Sequence, residues 1–242
     1  MRVIQQPFQP TDKFVEAFHE EADFHEQYYH YPMTTESVEK RLEEIDSREF
    51  PRKELASVIR SYMQPIGLSS AVEKNLQALE REDSVCIIGG QQVGLLTGPL
   101  YSLNKAISVI LYAKEMQATM NRPFVPVFWM AGEDHDLDEI NHTFVEKDGK
   151  LKKKIYTEET PYKWMASQFT YTPDRMVEYI HSIMKTYPET SFTKQLTTEL
   201  VMEANHSTTL TLFFARLMNK WFKDYGLLLI DAADPAFKQL QS

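Results

Sequence analysis

Residues 85–130 restrict the fold more than any other stretch of this chain. Val85-Cys86-Ile87-Ile88 is a short, wholly apolar run ended by Gly89-Gly90. A run that brief and that uniform reads as a strand buried on both faces, as in a parallel sheet. A glycine-containing loop follows to Pro99. Residues 101–120 then read as a helix, with Leu103, Ile107, Ile110 and Leu111 apolar, and residues 124–130 read as a second buried strand. Strand, loop, helix, strand is a βαβ unit, whose strands are parallel and whose crossover is right-handed. The predicted fold class is therefore α/β, with a parallel sheet as its core.

The flanking sequence is organised around that unit. Residues 1–82 read as an N-terminal helical segment. Thr11 is a candidate cap for a helix with Phe14, Phe18 and Ala22 on one face, and Thr34 for a second with Val38, Leu42 and Ile45 inward. Pro51 suits the first turn of a third helix, and Ser70-Ala71-Val72-Glu73 fits a capping box opening a fourth. The first half of the core is expected over 83–142. Residues 143–205 read as a connecting insertion: a hairpin turning at Asp148-Gly149, where Asp-Gly favours a type I′ turn, then helices near 173–187 and 191–204. The core resumes over 206–242, with Leu210, Phe213, Phe214, Leu217, Trp221 and Phe222 at helical spacing. Leu227-Leu228-Leu229-Ile230 follows as a third strand, and Asp234-Pro235 opens a final helix. Three strands are few for a doubly wound sheet, so the core is expected to be cut at its C-terminus.

Composition excludes several classes. With 26 basic and 35 acidic residues the formal charge is −9, against the basic stripes that phosphate neutralisation on nucleic acid needs. The basic run Lys150–Lys154, broken only by Leu151, reads as a solvated hairpin strand. Cys86 is the sole cysteine, which rules out an internal disulfide and fits a cytoplasmic protein; inside its apolar run it reads as a buried, inert thiol. The N-terminal residues 1–7 lack a signal-peptide hydrophobic region, and no stretch reaches the roughly 20 apolar residues of a membrane span.

Two segments can carry chemistry. Four of the eight glycines fall at Gly89, Gly90, Gly94 and Gly98. Glycine permits positive φ and close approach of backbone to a ligand, and the start of the following helix favours an anion, so the loop reads as a phosphate or carboxylate site. It is neither a Walker A motif nor Gly-x-Gly-x-x-Gly. Gln91, Gln92 and Thr97 offer uncharged hydrogen bonds, and Lys105 sits where it could reach a phosphate or point to solvent. The second segment, residues 132–142, places Glu133, Asp134, Asp136, Asp138 and Glu139 with His135 and His142 directly after the second strand. Ligands of open α/β sheets bind beyond the carboxyl ends of the strands, so both segments should meet at one edge. The acids could hold Mg²⁺ that accompanies a nucleotide, a carboxylate or His135 could act as general base on an amine, or a carboxylate could bind an ammonium group. The spacing of the two histidines does not fit a common zinc motif, and no resident metal site is expected.

The wording of both segments is specific. Gly89-Gly90-Gln91-Gln92-Val93-Gly94-Leu95-Leu96-Thr97-Gly98-Pro99-Leu100-Tyr101 and Val125-Pro126-Val127-Phe128-Trp129-Met130-Ala131-Gly132-Glu133-Asp134-His135-Asp136 together resemble the signatures of the bacillithiol-biosynthesis cysteine ligase family, and the resemblance runs along the whole chain. It implies a Rossmann-like fold with inserted segments and a coiled-coil helical part, the latter in sequence beyond residue 242, since members are about twice this length. It implies a cytoplasmic, ATP-dependent ligase, with Mg²⁺ accompanying the nucleotide, that adds cysteine to glucosaminyl malate in the last step of bacillithiol synthesis, and a homodimer in the full-length family. Under it, Gly89, Gly90, Gln91, Gln92, Gly94, Thr97, Gly98, Tyr101, Asn104, Lys105 and Glu133 bind substrate or nucleotide, and Asp134, His135 and Asp136 handle the amine and its proton. Thr97-Gly98-Pro99-Leu100 is also similar to the opening of the His-Ile-Gly-His signature of some class I aminoacyl-tRNA synthetases, but Tyr101 and Asn104 stand where those enzymes carry histidines. The alternatives are another nucleotidyl-transferase or synthetase on the same fold, or an inactive nucleotide-binding fragment.

Overall fold

The computed structural model describes residues 11–29, 31, 34–158 and 164–241; the expectation about residues 1–7 lies outside them. The chain divides into two compact units, residues 1–50 and 51–242. The first contains α1 (Lys13–Glu20), α2 (Ala22–Tyr28) and α3 (Thr35–Asp46). Asp12 caps α1 by accepting from the Val15 amide, so the cap lies one residue past Thr11; Thr34 caps α3 as expected. The chain breaks at extended Glu21, so Phe14 and Ala22 belong to different helices, and Phe14 is exposed rather than inward.

The second unit holds the core. It runs α4 (Arg52–Met63), α5 (Ser70–Leu79), β1 (Val85–Gln92), α6 (Leu100–Met120), β2 (Phe124–Ala131), the single turn α7 (Leu137–Ile140), β3 (His142–Lys147), β4 (Lys150–Ile155), α8 (Pro173–Met184), α9 (Thr193–Asn205), α10 (Leu210–Phe222), β5 (Leu228–Asp231) and α11 (Pro235–Leu240). Contacts thus place the division at 50/51 rather than at the 82/83 expected from sequence, because α4 and α5 bury Ala56, Ile59, Met63, Val72, Leu76 and Leu79 in the same core as the strands. Ser69, rather than Ser70, caps α5, and Asp234 caps α11 by accepting from the Phe237 amide.

The sheet order is β1-β2-β5 and both pairings are parallel, with Val85 opposite Phe124 and Val127 opposite Leu228. The βαβ reading holds. Strand alternation puts Gly89 and Phe128 on one face, where Gly89 meets Val109 of α6 and the Phe128 ring lies 6.2 Å from Phe214 of α10. Trp129 lies on the other face, edge-on to Phe237 of α11 at 5.3 Å. Helices on both faces explain why β2 and β5 are almost continuously apolar.

Residues 142–205 contain the hairpin β3–β4 and helices α8 and α9. β3 and β4 pair antiparallel from His142–Ile155 to Lys147–Lys150. Asp148 and Gly149 both take positive φ, +57° and +70°, as a type I′ turn demands. Val145 is buried in the main core, and Tyr156, Tyr171 and Tyr179 meet edge-to-face behind the hairpin.

Candidate functional site

The glycine segment has two parts with different physics. β1 does not end at Ile88 but continues through Gln92, so Gly89 and Gly90 are strand residues rather than loop residues. A Cβ on Gly89 would lie 2.5 Å from Val109 Cγ2, and one on Gly90 would lie 2.5 Å from the Trp129 carbonyl oxygen. Protein fills the space beside both, so these two glycines let α6 and β2 approach closely instead of admitting a ligand. Gly94 and Gly98 lie in the true loop. Their backbones touch, with a Gly94 Cβ only 2.7 Å from Gly98 Cα, and Gly98 adopts φ +67°, ψ −151°, a conformation reserved for glycine. Leu96 and Thr97 precede it at φ +52° and +76°, so three successive residues hold a left-handed path. Thr97 is buried, and its hydroxyl donates back to the Leu96 carbonyl. It fastens the turn rather than facing a ligand.

The turn delivers the chain to α6. Pro99 occupies the cap position without a side-chain hydrogen bond, leaving the positive end of a 21-residue helix without a capping group. Lys105, one turn in, directs its ammonium at the end of β1, 2.6 Å from Gln91 Oε1 and 3.3 Å from the Gly90 carbonyl oxygen. It also lies 5.5 Å from the Tyr101 ring centroid, and the Tyr101 hydroxyl accepts from Gln91 at 3.4 Å. No carboxylate pairs with Lys105 among the described residues. Tyr101, Asn104 and Lys105 are all exposed here.

The acidic segment begins where β2 ends. Gln92, the last residue of β1, donates through Nε2 to Asp134 Oδ2 at 2.5 Å and to Glu139 Oε2 at 2.9 Å. The two sequence segments therefore do meet at the carboxyl edge of the sheet. The Asp134 carboxylate also accepts from the Asp136 amide at 2.9 Å. The Gln92 bond first, then backbone donors, hold its pKa below the ordinary aspartate value. The insertion braces the loop from outside: Ala166 N donates to Asp134 O at 2.8 Å and Ser167 N to Gly132 O at 2.9 Å. Asp134 is thus a fixed anion suited to holding a cation. His135 and Asp136 are exposed on the loop. Among the described residues no group of three or more His, Cys, Asp or Glu side chains is arranged to hold a metal ion.

Sequence reasoning missed Asp231. It is the last residue of β5, only 7% exposed, with one oxygen accepting from the Ala233 amide at 2.9 Å. Burial, with Asp234 and Glu133 adding like charge, pushes its pKa up to about 6. Gly132 is glycine because the Asp231 carboxylate occupies the space a side chain would need, 2.1 Å from an ideal Cβ. Nearby Glu133 has a carboxylate oxygen, Oε2, that is buried without a hydrogen-bond partner. The signal was present in sequence: an aspartate directly ending the apolar run Leu227–Ile230. Cys86, expected to be buried, is only partly so, and desolvation pushes its thiol up to about 11.

A parallel α/β sheet with a glycine turn, an uncapped helix start and an acidic loop at its carboxyl edge defines a Rossmann-like domain. The family whose sequence model matches residues 1–242 is described as bacillithiol biosynthesis BshC, N-terminal Rossmann-like domain, and this chain belongs to it. A protein of Lysinibacillus sphaericus strain C3-41, named "Putative cysteine ligase BshC", is 48% identical over 216 residues. Proteins with the same name from Bacillus cytotoxicus and Bacillus cereus strain AH187 are each 41% identical over 213 residues. The alignments cover 89%, 88% and 88% of this chain but 40% of each relative, so the chain spans well under half the length of these proteins. Among the described residues no helix is long and apolar enough to cross a membrane.

Proposed function

We propose that this chain forms the nucleotide- and amine-handling domain of a cytoplasmic, ATP-dependent ligase that joins cysteine to glucosaminyl malate, the last step of bacillithiol synthesis, working as a homodimer when complete. One observation carries the reading: unmatched charges of both signs stand at the same sheet edge. Lys105 has only neutral partners on β1, Glu133 keeps a buried oxygen without a donor, and Gln92 ties β1 to the acidic loop.

The residues fit a triphosphate. Lys105 and the start of α6 offer positive charge. Bound ATP would activate the cysteine carboxylate by transferring a phosphoryl or adenylyl group to it, so that phosphate or AMP leaves when the amine attacks, and Mg²⁺ would arrive with it, because magnesium binds through phosphates plus one or two carboxylates rather than a protein cage. The chain's own residues do the rest. Asp134, held charged, positions the ammonium of an incoming amine beside Glu133. Asp136 or His135 accepts the proton that the amine must lose before it attacks the cysteine carboxyl carbon.

The test uses a full-length relative such as the Lysinibacillus sphaericus protein, supplied with ATP, cysteine and glucosaminyl malate and followed by mass spectrometry. ATP-dependent loss of both substrates, with a product of their summed mass less water, supports the reading. Replacing the residue aligned with Asp136 by Asn should lower turnover at unchanged melting temperature. Absence of product with all three supplied refutes the substrate assignment, and unchanged turnover in the Asn variant refutes the role of Asp136.

A further inference from the structure

We propose that Asp231 is a second proton acceptor in the ligation: its carboxylate takes the proton that the amine nitrogen sheds once it has bonded to the cysteine carboxyl carbon. The inference rests on the proposed ligation, in which Asp136 or His135 takes only the first of two protons.

The chemistry demands such a group. An amine that arrives as an ammonium ion carries three hydrogens on nitrogen, and the amide nitrogen keeps one. One proton leaves before the attack, to Asp136 or His135. The C–N bond then forms, and the C–O bond to phosphate or AMP breaks with its electron pair leaving on that oxygen. The second proton comes off the nitrogen, and its acceptor must lie beside the loop that holds the amine.

Asp231 stands there. It ends β5, the strand next to β2. Its carboxylate lies directly against Gly132, where an added Cβ would be 2.1 Å from Oδ1 and 3.1 Å from Oδ2. Gly132 leads straight into Glu133 and Asp134, which the ligation uses to hold the ammonium. Oδ1 accepts from the Ala233 amide at 2.9 Å, while Oδ2 accepts no hydrogen bond from the described residues. The neighbouring Glu133 carboxylate, close enough to oppose charge on Asp231, also keeps a buried oxygen without a donor. An amine nitrogen would supply what both oxygens lack.

The surroundings suit a base. Asp234 at the start of α11, Glu133 of the loop, Lys238 of α11 and Tyr62 of α4 stand around Asp231. Burial and the two acids outweigh Lys238 and push its pKa up to about 6. Tyr62, raised well above the usual phenol value by its own burial, stays neutral. A carboxylate so placed is a stronger base than an exposed aspartate, yet is still ionised at neutral pH. An asparagine would accept from the Ala233 amide equally well without burying a charge, which leaves the charge itself to be explained by chemistry.

The pH profile of kcat tests it, measured on the full-length Lysinibacillus sphaericus protein and on its variant carrying Asp231→Asn at the aligned position, each supplied with ATP, cysteine and glucosaminyl malate. The wild type should gain activity as pH rises through about 6. The variant should lose about 100-fold in kcat and lose that rise. It should keep or raise its melting temperature, and keep cysteine-dependent positional isotope exchange in labelled ATP, which precedes attack by the amine. Unchanged kcat in the variant overturns the inference. So does slow turnover that keeps the same rise, or loss of isotope exchange as well, because either marks a structural role. Absence of product from the wild type overturns the ligation itself, and this inference with it.

Discussion

The two edges of the three-stranded sheet use the same kind of strand for opposite ends. β5 is shut: its residues are buried and α4 satisfies an outward amide. β1 is open at its outer edge, yet on its paired side it is packed so closely that Gly89 and Gly90 cannot carry a Cβ without moving Val109 or the Trp129 backbone. An apolar strand is therefore not by itself a sign of stability contributed at each residue. What matters is which side of the strand is already filled.

Substitutions can break that comparison. Leu229→Ala on the closed strand should cost about 2–5 kcal/mol by removing a fully buried side chain; a loss below about 1 kcal/mol in urea denaturation would mean that β5 is looser than described. Gly90→Ala on the packed side of β1 should cost about 1–3 kcal/mol, because its Cβ meets sheet backbone rather than a flexible side chain.

Asp231→Asn should act in the other direction. The folded-state pKa is raised to about 6, so the fold favours the protonated acid. Its stabilisation is complete below about pH 4 and is lost as pH rises through 6. At pH 7 the Asn variant should be more stable than the wild type by about 1–3 kcal/mol, with the gap closing below about pH 4. Denaturation curves at the two pH values read this directly, and a gap of the same size at both would rule out titration as its cause. Ile88→Ala should have the smallest effect, within about 0.5 kcal/mol in this chain, and a loss comparable to that of Leu229→Ala would show that the β1 edge is already covered.

Much of the fold was legible because it is written locally. The runs at 85–88, 124–130 and 227–230, the Asp148-Gly149 turn and the caps at Thr34 and Asp234 each need only neighbouring residues to be read. The glycine segment shows where local reading stops. Gly89 and Gly98 look alike in sequence, yet one is a packing glycine whose space is taken by Val109, twenty residues away, and the other holds a positive φ. Asp231 stayed hidden for a similar reason: its neighbours Gly132 and Glu133 are nearly a hundred residues distant. The boundary at 50/51 was equally non-local, since α4 and α5 have the sequence of ordinary amphipathic helices and only their burial against β2 and β5 assigns them to the core. The meeting of the two signature segments was legible, because the carboxyl ends of parallel strands share one edge, although the residue that joins them, Gln92, belongs to β1 itself.

The central claim is that this edge receives an anion at Lys105 and the start of α6. Calorimetric titration of ATP into the chain, against Lys105→Ala, measures it. The claim predicts saturable binding by the wild type that weakens about tenfold or more in the variant, with both proteins melting at the same temperature. Equal affinity in the two, or no binding by a folded wild type, would contradict it.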